Sequence, residues 1–195
     1  ISACLVGSEM CIRDRDVAGV LRKSSNIGMT MISEKLESRE MWDRFTELGL
    51  GQAPQVGFPG AAPGRLRPWD RWRLIEKATM AYGYGLSVSL LQVARAYTVF
   101  ARNGDMVSLT LVKRDSAPTS VKIYTPKTTA MVRAMLEAAA GPEGTKAAQV
   151  QGYRVAGKSG TARKIVDGKY SMQRYRSSYV GFAPVSDPKL SLIHI

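Results

Sequence analysis

Residues 155–164 read Val-Ala-Gly-Lys-Ser-Gly-Thr-Ala-Arg-Lys, and the way Lys158, Ser159, Gly160 and Thr161 are held decides the fold. On an extended edge they make a receptor for a small carboxylate. Lys158 supplies a point charge, and Ser159 and Thr161 supply hydroxyl donors. Gly160, with no Cβ, lets a substrate lie against the backbone. The same letters also complete a phosphate-loop pattern, G-x-x-x-x-G-K-[ST], from Gly152 to Ser159. That loop needs a buried strand before it and a helix after it, so that backbone N–H groups face the phosphates. Residues 145–151 (TKAAQVQ) make a poor buried strand, and the loop interior, Tyr153 to Ala156, is bulky. After Gly160 the chain runs through Ile165 and Val166 into the turn-like pair Asp167-Gly168. A strand and a hairpin turn are expected there. A nucleotide-binding phosphate-loop protein stays as an alternative.

The composition narrows the chemistry. The chain has 195 residues, 45% of them hydrophobic, enough for one domain with a buried core. No apolar run approaches the ~18 residues that a membrane-spanning helix needs. The net charge is +12, and its densest stretch, 152–176, holds seven basic residues against Asp167 alone. Such a run is either a solvated surface or a field that draws an acidic substrate. No zinc-finger or RNA-recognition signature accompanies it, so no nucleic-acid partner is expected. Both cysteines, Cys4 and Cys11, and the single histidine, His194, fall in the terminal stretches 1–15 (ISACLVGSEMCIRDR) and 191–195 (SLIHI). These ends resemble translated sequencing adapter and are set apart from the body, 16–190, as non-native segments. The body then lacks Cys and His altogether. That excludes a Ser-His-Asp triad, a Cys-His pair and a His- or Cys-based metal site within it. Acid–base chemistry must run on Lys, Asp, Glu, Tyr or Ser, and no cofactor or metal is implied.

Along the body, residues 16–36 suggest two helices separated by Lys23-Ser24-Ser25-Asn26, a polar break able to cap the second. Met41, Phe45 and Leu48 mark a helix over 38–48, ended by Gly49. Residues 51–73 read as a Gly-, Pro- and Arg-rich surface excursion. Ser89-Leu90-Leu91-Gln92 is a capping box opening a helix to about Arg102. Met106–Lys113 and Val121–Tyr124 are strand candidates. Thr125-Pro126 starts a helix with Val132, Leu136 and Ala139 on one face. Strands are expected over 153–166 and 179–185, joined across 167–178. The class is α/β, or α+β, a helical part with an antiparallel sheet.

Lys158-Ser159-Gly160 is one form of the Lys-[Ser/Thr]-Gly box of penicillin-recognising enzymes. Lys23-Ser24-Ser25-Asn26 holds a Ser-x-Asn box, 134 positions before Lys158. Between and after them come Ala-Tyr-Gly-Tyr-Gly-Leu at 81–86 and Gly-Phe-Ala-Pro at 181–184. With GRLRPWDRWRLIEKATMAYGYGLSVSLLQVARAY at 64–97, this ordered series resembles the transpeptidase domain of FtsI-type, division-specific penicillin-binding proteins over nearly all of 16–190.

The resemblance implies the penicillin-binding-protein and serine β-lactamase-like fold, and a serine D,D-transpeptidase that cross-links peptidoglycan stem peptides in septal wall synthesis. Its substrates would be stem peptides on a lipid-linked precursor or strand, β-lactams its inhibitors and septal division proteins its partners. The parent protein would sit on the periplasmic face of the bacterial inner membrane. Carried over, Ser24 relays protons, Asn26 orients the acyl-side amide, and Lys158 sets the potential and proton path. Ser159 and Thr161 bind the terminal carboxylate beside Gly160, and Tyr82 and Tyr84 flank the cleft. The family's nucleophile lies in a Ser-x-x-Lys helix upstream of Ser24. Upstream of Ser24, Ser2 and Ser8 have no Lys at +3, and Ser186-Asp187-Pro188-Lys189, the sole match, carries a proline that argues against a helix. The chain is therefore expected to be a partial transpeptidase domain without its nucleophile, inactive alone. A β-lactamase or β-lactam sensor shares the boxes, and a non-catalytic binding module is the alternative of another class.

Overall fold

The computed structural model describes residues 15–113, 115–166 and 168–194. Apart from Arg15, the adapter-like N-terminal stretch, with Ser2, Ser8, Cys4 and Cys11, lies outside the described residues, as does Asp167. Two short helices come first, α1 (Val17–Arg22) and α2 (Asn26–Glu34). Asp16 caps α1 by accepting from the Gly19 N–H at 2.8 Å. Ser25 caps α2 by accepting from the Gly28 N–H at 3.1 Å, so the polar break ends one helix and starts the next. Helix α3 (Ser38–Glu47) follows, then the excursion, which contains a 3-10 turn at Trp69–Arg71.

Helix α4 (Leu74–Ala81) has no counterpart in the sequence reading. Its start carries no Ser, Thr, Asp or Asn cap. Instead Glu76 turns back to accept from the Arg73 N–H at 2.7 Å, and Arg67 pairs with the same carboxylate at 2.8 Å. Helix α5 (Leu90–Ala101) does open with the expected box: the Ser89 N–H donates to Gln92 Oε1 at 2.7 Å and the Gln92 N–H to Ser89 Oγ at 3.3 Å. Gln92 is buried, and its Nε2 donates to the carbonyls of Gly49, Gln52 and Pro63. One amide thereby pins the excursion to the helix. Strands β1 (Asp105–Val107) and β2 (Ser120–Lys122) form a two-stranded ladder, shorter than the strand candidates around them.

Helix α6 (Pro126–Ala140) leads through a 3-10 turn at Lys146–Ala148 into the sheet of β3 (Ala156–Val166), β4 (Lys169–Ala183) and β5 (Leu190–His194). The order is β3-β4-β5, antiparallel throughout. The expected join across 167–178 is corrected: β4 begins at Lys169, and Val166 pairs with Lys169. Backbone 190–194, most of it in the stretch set apart on composition, is the third strand, opposite Tyr179–Ala183. The core lies between helices and sheet. Leu136, Ala156, Phe182 and Val185 are buried together, with Leu21, Tyr97, Phe100, Ala101 and Val132 packed around them.

The phosphate-loop reading is overturned. Gly157, Lys158 and Ser159 are mid-strand, and the chain stays extended to Val166, so no helix N-terminus faces a phosphate. Gly157 has another duty: a Cβ there would sit 2.2 Å from the Tyr179 hydroxyl, because that side chain crosses the glycine on the neighbouring strand. Ser186 and Lys189 flank a bend in which Lys189 pairs with Asp187, not a helix. Among the described residues no helix is long and apolar enough to cross a membrane.

Candidate active site

Ser24 occupies the link between α1 and α2 with a φ of 51°. A non-glycine residue in the left-handed region costs on the order of 1 kcal/mol and persists where its surroundings demand it. Here both sides are fixed: the Ser24 N–H donates to Leu21 O at 3.2 Å and the Ser25 N–H to Val20 O at 3.0 Å. Ser25 takes the capping duty, which leaves the Ser24 hydroxyl for a tertiary partner. That partner is Lys158, whose Nζ donates to Ser24 Oγ at 2.5 Å and to Ser159 O at 2.8 Å.

Lys158 stands on β3, which among the described residues pairs with a strand on one side only. The ammonium is half-buried, and burial pushes its pKa below the usual lysine value. A lysine tuned downward beside a hydroxyl suits proton transfer. Gly160 and Thr161 follow on the same strand, both exposed.

A third segment braces this pair. The turn after α6 ties to the end of α1 through Arg22, which pairs with Glu143 at 2.7 Å, and Lys23, which donates to Glu143 O at 3.4 Å. Two residues on, Thr145 Oγ1 and Ser159 Oγ share a hydrogen bond of 2.9 Å. Gly144 between them passes so close to Ala139 that an added Cβ would meet its carbonyl oxygen at 2.0 Å. Thr145 was not anticipated, because TKAAQVQ carries neither periodicity nor a motif to mark it.

The structure thus brings together Ser24, Lys158 and Ser159, with Gly160 and Thr161 continuing the strand. Asn26 opens α2 two residues after Ser24, exposed, its carbonyl accepting from Thr30 Oγ1 at 2.9 Å. Tyr82 and Tyr84 meet edge to face, centroids 6.0 Å apart. Tyr84 reaches β3 farther along: its hydroxyl accepts from the Arg163 N–H at 2.9 Å and its ring lies 6.2 Å from that of Tyr170.

The model of the penicillin binding protein transpeptidase domain matches residues 9–195. The chain belongs to that family. It is 43% identical over 176 residues to a protein of Neisseria gonorrhoeae named probable peptidoglycan D,D-transpeptidase PenA, covering 90% of this chain and 30% of the relative. It is 36% identical over 180 residues to the peptidoglycan D,D-transpeptidase FtsI of Escherichia coli, covering 91% of this chain and 30% of that one. The chain thus spans under a third of the length of these two relatives. Among solved structures, the apo transpeptidase domain of Burkholderia pseudomallei penicillin-binding protein 3 superposes with a TM-score of 0.86 at 53% identity, over 91% of this chain and 54% of that one. The expected mixed helix-and-sheet fold of the penicillin-binding family is therefore the observed one.

Proposed function

We propose that this chain carries the proton-relay and carboxylate-binding half of a serine peptidoglycan D,D-transpeptidase acting in septal wall synthesis. The observation that carries the reading is the contact of Lys158 with Ser24, made across 134 residues. In this reading the nucleophilic serine comes from a Ser-x-x-Lys helix outside residues 1–195. Its Oγ gives its proton to the lysine of that motif and attacks the penultimate D-Ala carbonyl of a stem peptide, and the terminal D-Ala amine leaves with a proton from the Ser24 hydroxyl, resupplied through Lys158. The amine of a neighbouring stem peptide then attacks the ester, the same pair takes its proton, and the serine oxygen is expelled and recovers its own proton from the motif lysine. Ser159 and Thr161 hold the terminal carboxylate at Gly160, the Thr161 N–H serves the oxyanion, Asn26 orients the acyl-side amide, and Tyr82 and Tyr84 border the cleft. β-Lactams acylate the complete enzyme because they mimic D-Ala-D-Ala. The parent protein works on the periplasmic face of the inner membrane beside septal division proteins.

The test is a fluorescent penicillin applied to residues 1–195 and to the longer product of the source gene. The longer product is expected to be labelled covalently and the chain alone unlabelled. In the longer product, Lys158→Ala is expected to slow acylation on the order of a hundredfold or more. Labelling of the chain alone, or a longer product that lacks the upstream Ser-x-x-Lys, would overturn the reading.

A further inference from the structure

Thr145 stands at the cap position of the 3-10 turn Lys146–Ala148, yet its side chain makes no capping hydrogen bond there. Asp16, Ser25, Ser89 and Thr125, at the starts of their helices, each accept a backbone N–H with the side chain. The Thr145 hydroxyl goes instead to Ser159 Oγ on β3, 14 residues on, at 2.9 Å.

The segment that carries Thr145 is fixed without help from Ser159. The Thr145 N–H donates to Ala139 O at 2.9 Å, and the Gly144 N–H to Gly141 O at 3.0 Å. Gly144 has no room for a side chain against Ala139. Just before it, the Glu143 carboxylate holds Arg22 and the Glu143 carbonyl accepts from Lys23, next to Ser24. Ser159 is held on its other side too, since its carbonyl accepts from Lys158 Nζ at 2.8 Å.

A hydroxyl has one proton and two lone pairs, so in this pair one oxygen donates and the other accepts. When Ser159 donates to Thr145, its proton is spent and its oxygen turns only lone pairs outward, which repel an anion. When Thr145 donates, the Ser159 proton is free, and the bond that Ser159 accepts makes that proton a stronger donor. An anion arriving at Ser159 selects the second arrangement.

We propose that Thr145 is a positioning residue for recognition of the substrate's terminal carboxylate: it donates to Ser159 Oγ and so directs the Ser159 proton to the anion. The inference rests on the transpeptidase reading for the carboxylate itself. Thr145 acts through Ser159 and stands apart from the relay of Ser24 and Lys158, so its loss falls on binding of the anion and not on the acylation step.

The experiment is acylation of the longer product of the source gene by benzylpenicillin and by its methyl ester, which lacks the anion. Intact mass spectrometry follows the adduct, its concentration dependence separates the Kd of the first complex from the acylation rate constant, and circular dichroism checks folding. Thr145→Val is expected to weaken the first complex with benzylpenicillin about tenfold, while the acylation rate constant and the reaction with the ester stay near native. Thr145→Ser, which keeps the donor, should behave as the native protein does. Should the valine variant fail to fold, Thr145→Ala, with the hydroxyl gone and less bulk, carries the same comparison. A folded variant without the hydroxyl that reacts as the native protein does overturns the proposal. So does an equal loss with both compounds, a loss confined to the acylation rate constant, or a serine variant as impaired as the valine one. A native product that takes no penicillin overturns the transpeptidase reading and this inference with it, whereas an acylated native product whose variants fail these comparisons overturns the inference alone.

Discussion

At Ser24 a single side chain answers to two demands, a left-handed backbone and a hydroxyl presented to Lys158. Substitutions separate them. Ser24→Gly relaxes the backbone and loses the hydroxyl, while Ser24→Ala keeps the strain and loses the hydroxyl. Urea unfolding should therefore show the alanine variant less stable than the glycine variant by about 1 kcal/mol. An alanine variant as stable as the glycine one would remove the strain from the account. Lys158 gives a pH signature. Its folded pKa lies below the ordinary 10.5 because of burial. Below the lowered value both states carry the proton and the cost of burying the charge is fully present. Between that value and 10.5 the unfolded chain binds more protons, so stability rises with pH. Lys158→Met should flatten that rise in urea titrations across the window.

Helix α5 shows how one element organises its neighbours. Gln92→Leu would leave the carbonyls of Gly49, Gln52 and Pro63 without their buried donor. A loss of about 2–3 kcal/mol is expected by chemical denaturation, with faster proteolysis within 49–63. Helices with conventional signals were legible from sequence: the Ser89 box and Thr125-Pro126 each open a helix where the letters place it. Helix α4 was not, because Glu76 reaching back to Arg73 replaces a cap residue. The outer half of β4 was not either, since Tyr170, Met172 and Arg174 alternate with no buried face to give them a period. Of the site, the two boxes stand out as sequence motifs, while the contact between Lys158 and Ser24 is made by the tertiary fold. Thr145 on Ser159 and Tyr84 on Arg163 were not legible, since both contacts depend on tertiary placement alone.

Across the whole molecule the cluster of Leu136, Ala156, Phe182 and Val185 is joined by other buried side chains, Val20, Met41 and Met80 among them. Helices α4 and α2 also expose apolar side chains, with Leu74 at 89% and Ile75 at 67% on α4, and Ile27 and Met31 on α2. Core integrity can be followed through Tyr97, where burial pushes the hydroxyl up from 10.0 to about 12. Between those values the unfolded chain has lost a proton that the folded chain keeps, so stability falls as pH rises. Tyr124 and Tyr179, also raised by burial, act in the same direction. The alkaline loss expected from Tyr97 is about 3 kcal/mol, and Tyr97→Phe should remove it from melting curves taken above pH 10.0. An unchanged alkaline profile would place that hydroxyl in water. The contact between Ser24 and Lys158 also closes a loop of 134 residues, an entropic cost of about 4 kcal/mol that α6 and the sheet must supply before the two groups meet. During synthesis Ser24 therefore leaves the ribosome long before its lysine does. The contact cannot exist in a nascent chain until β3 has emerged and docked against the α1–α2 link.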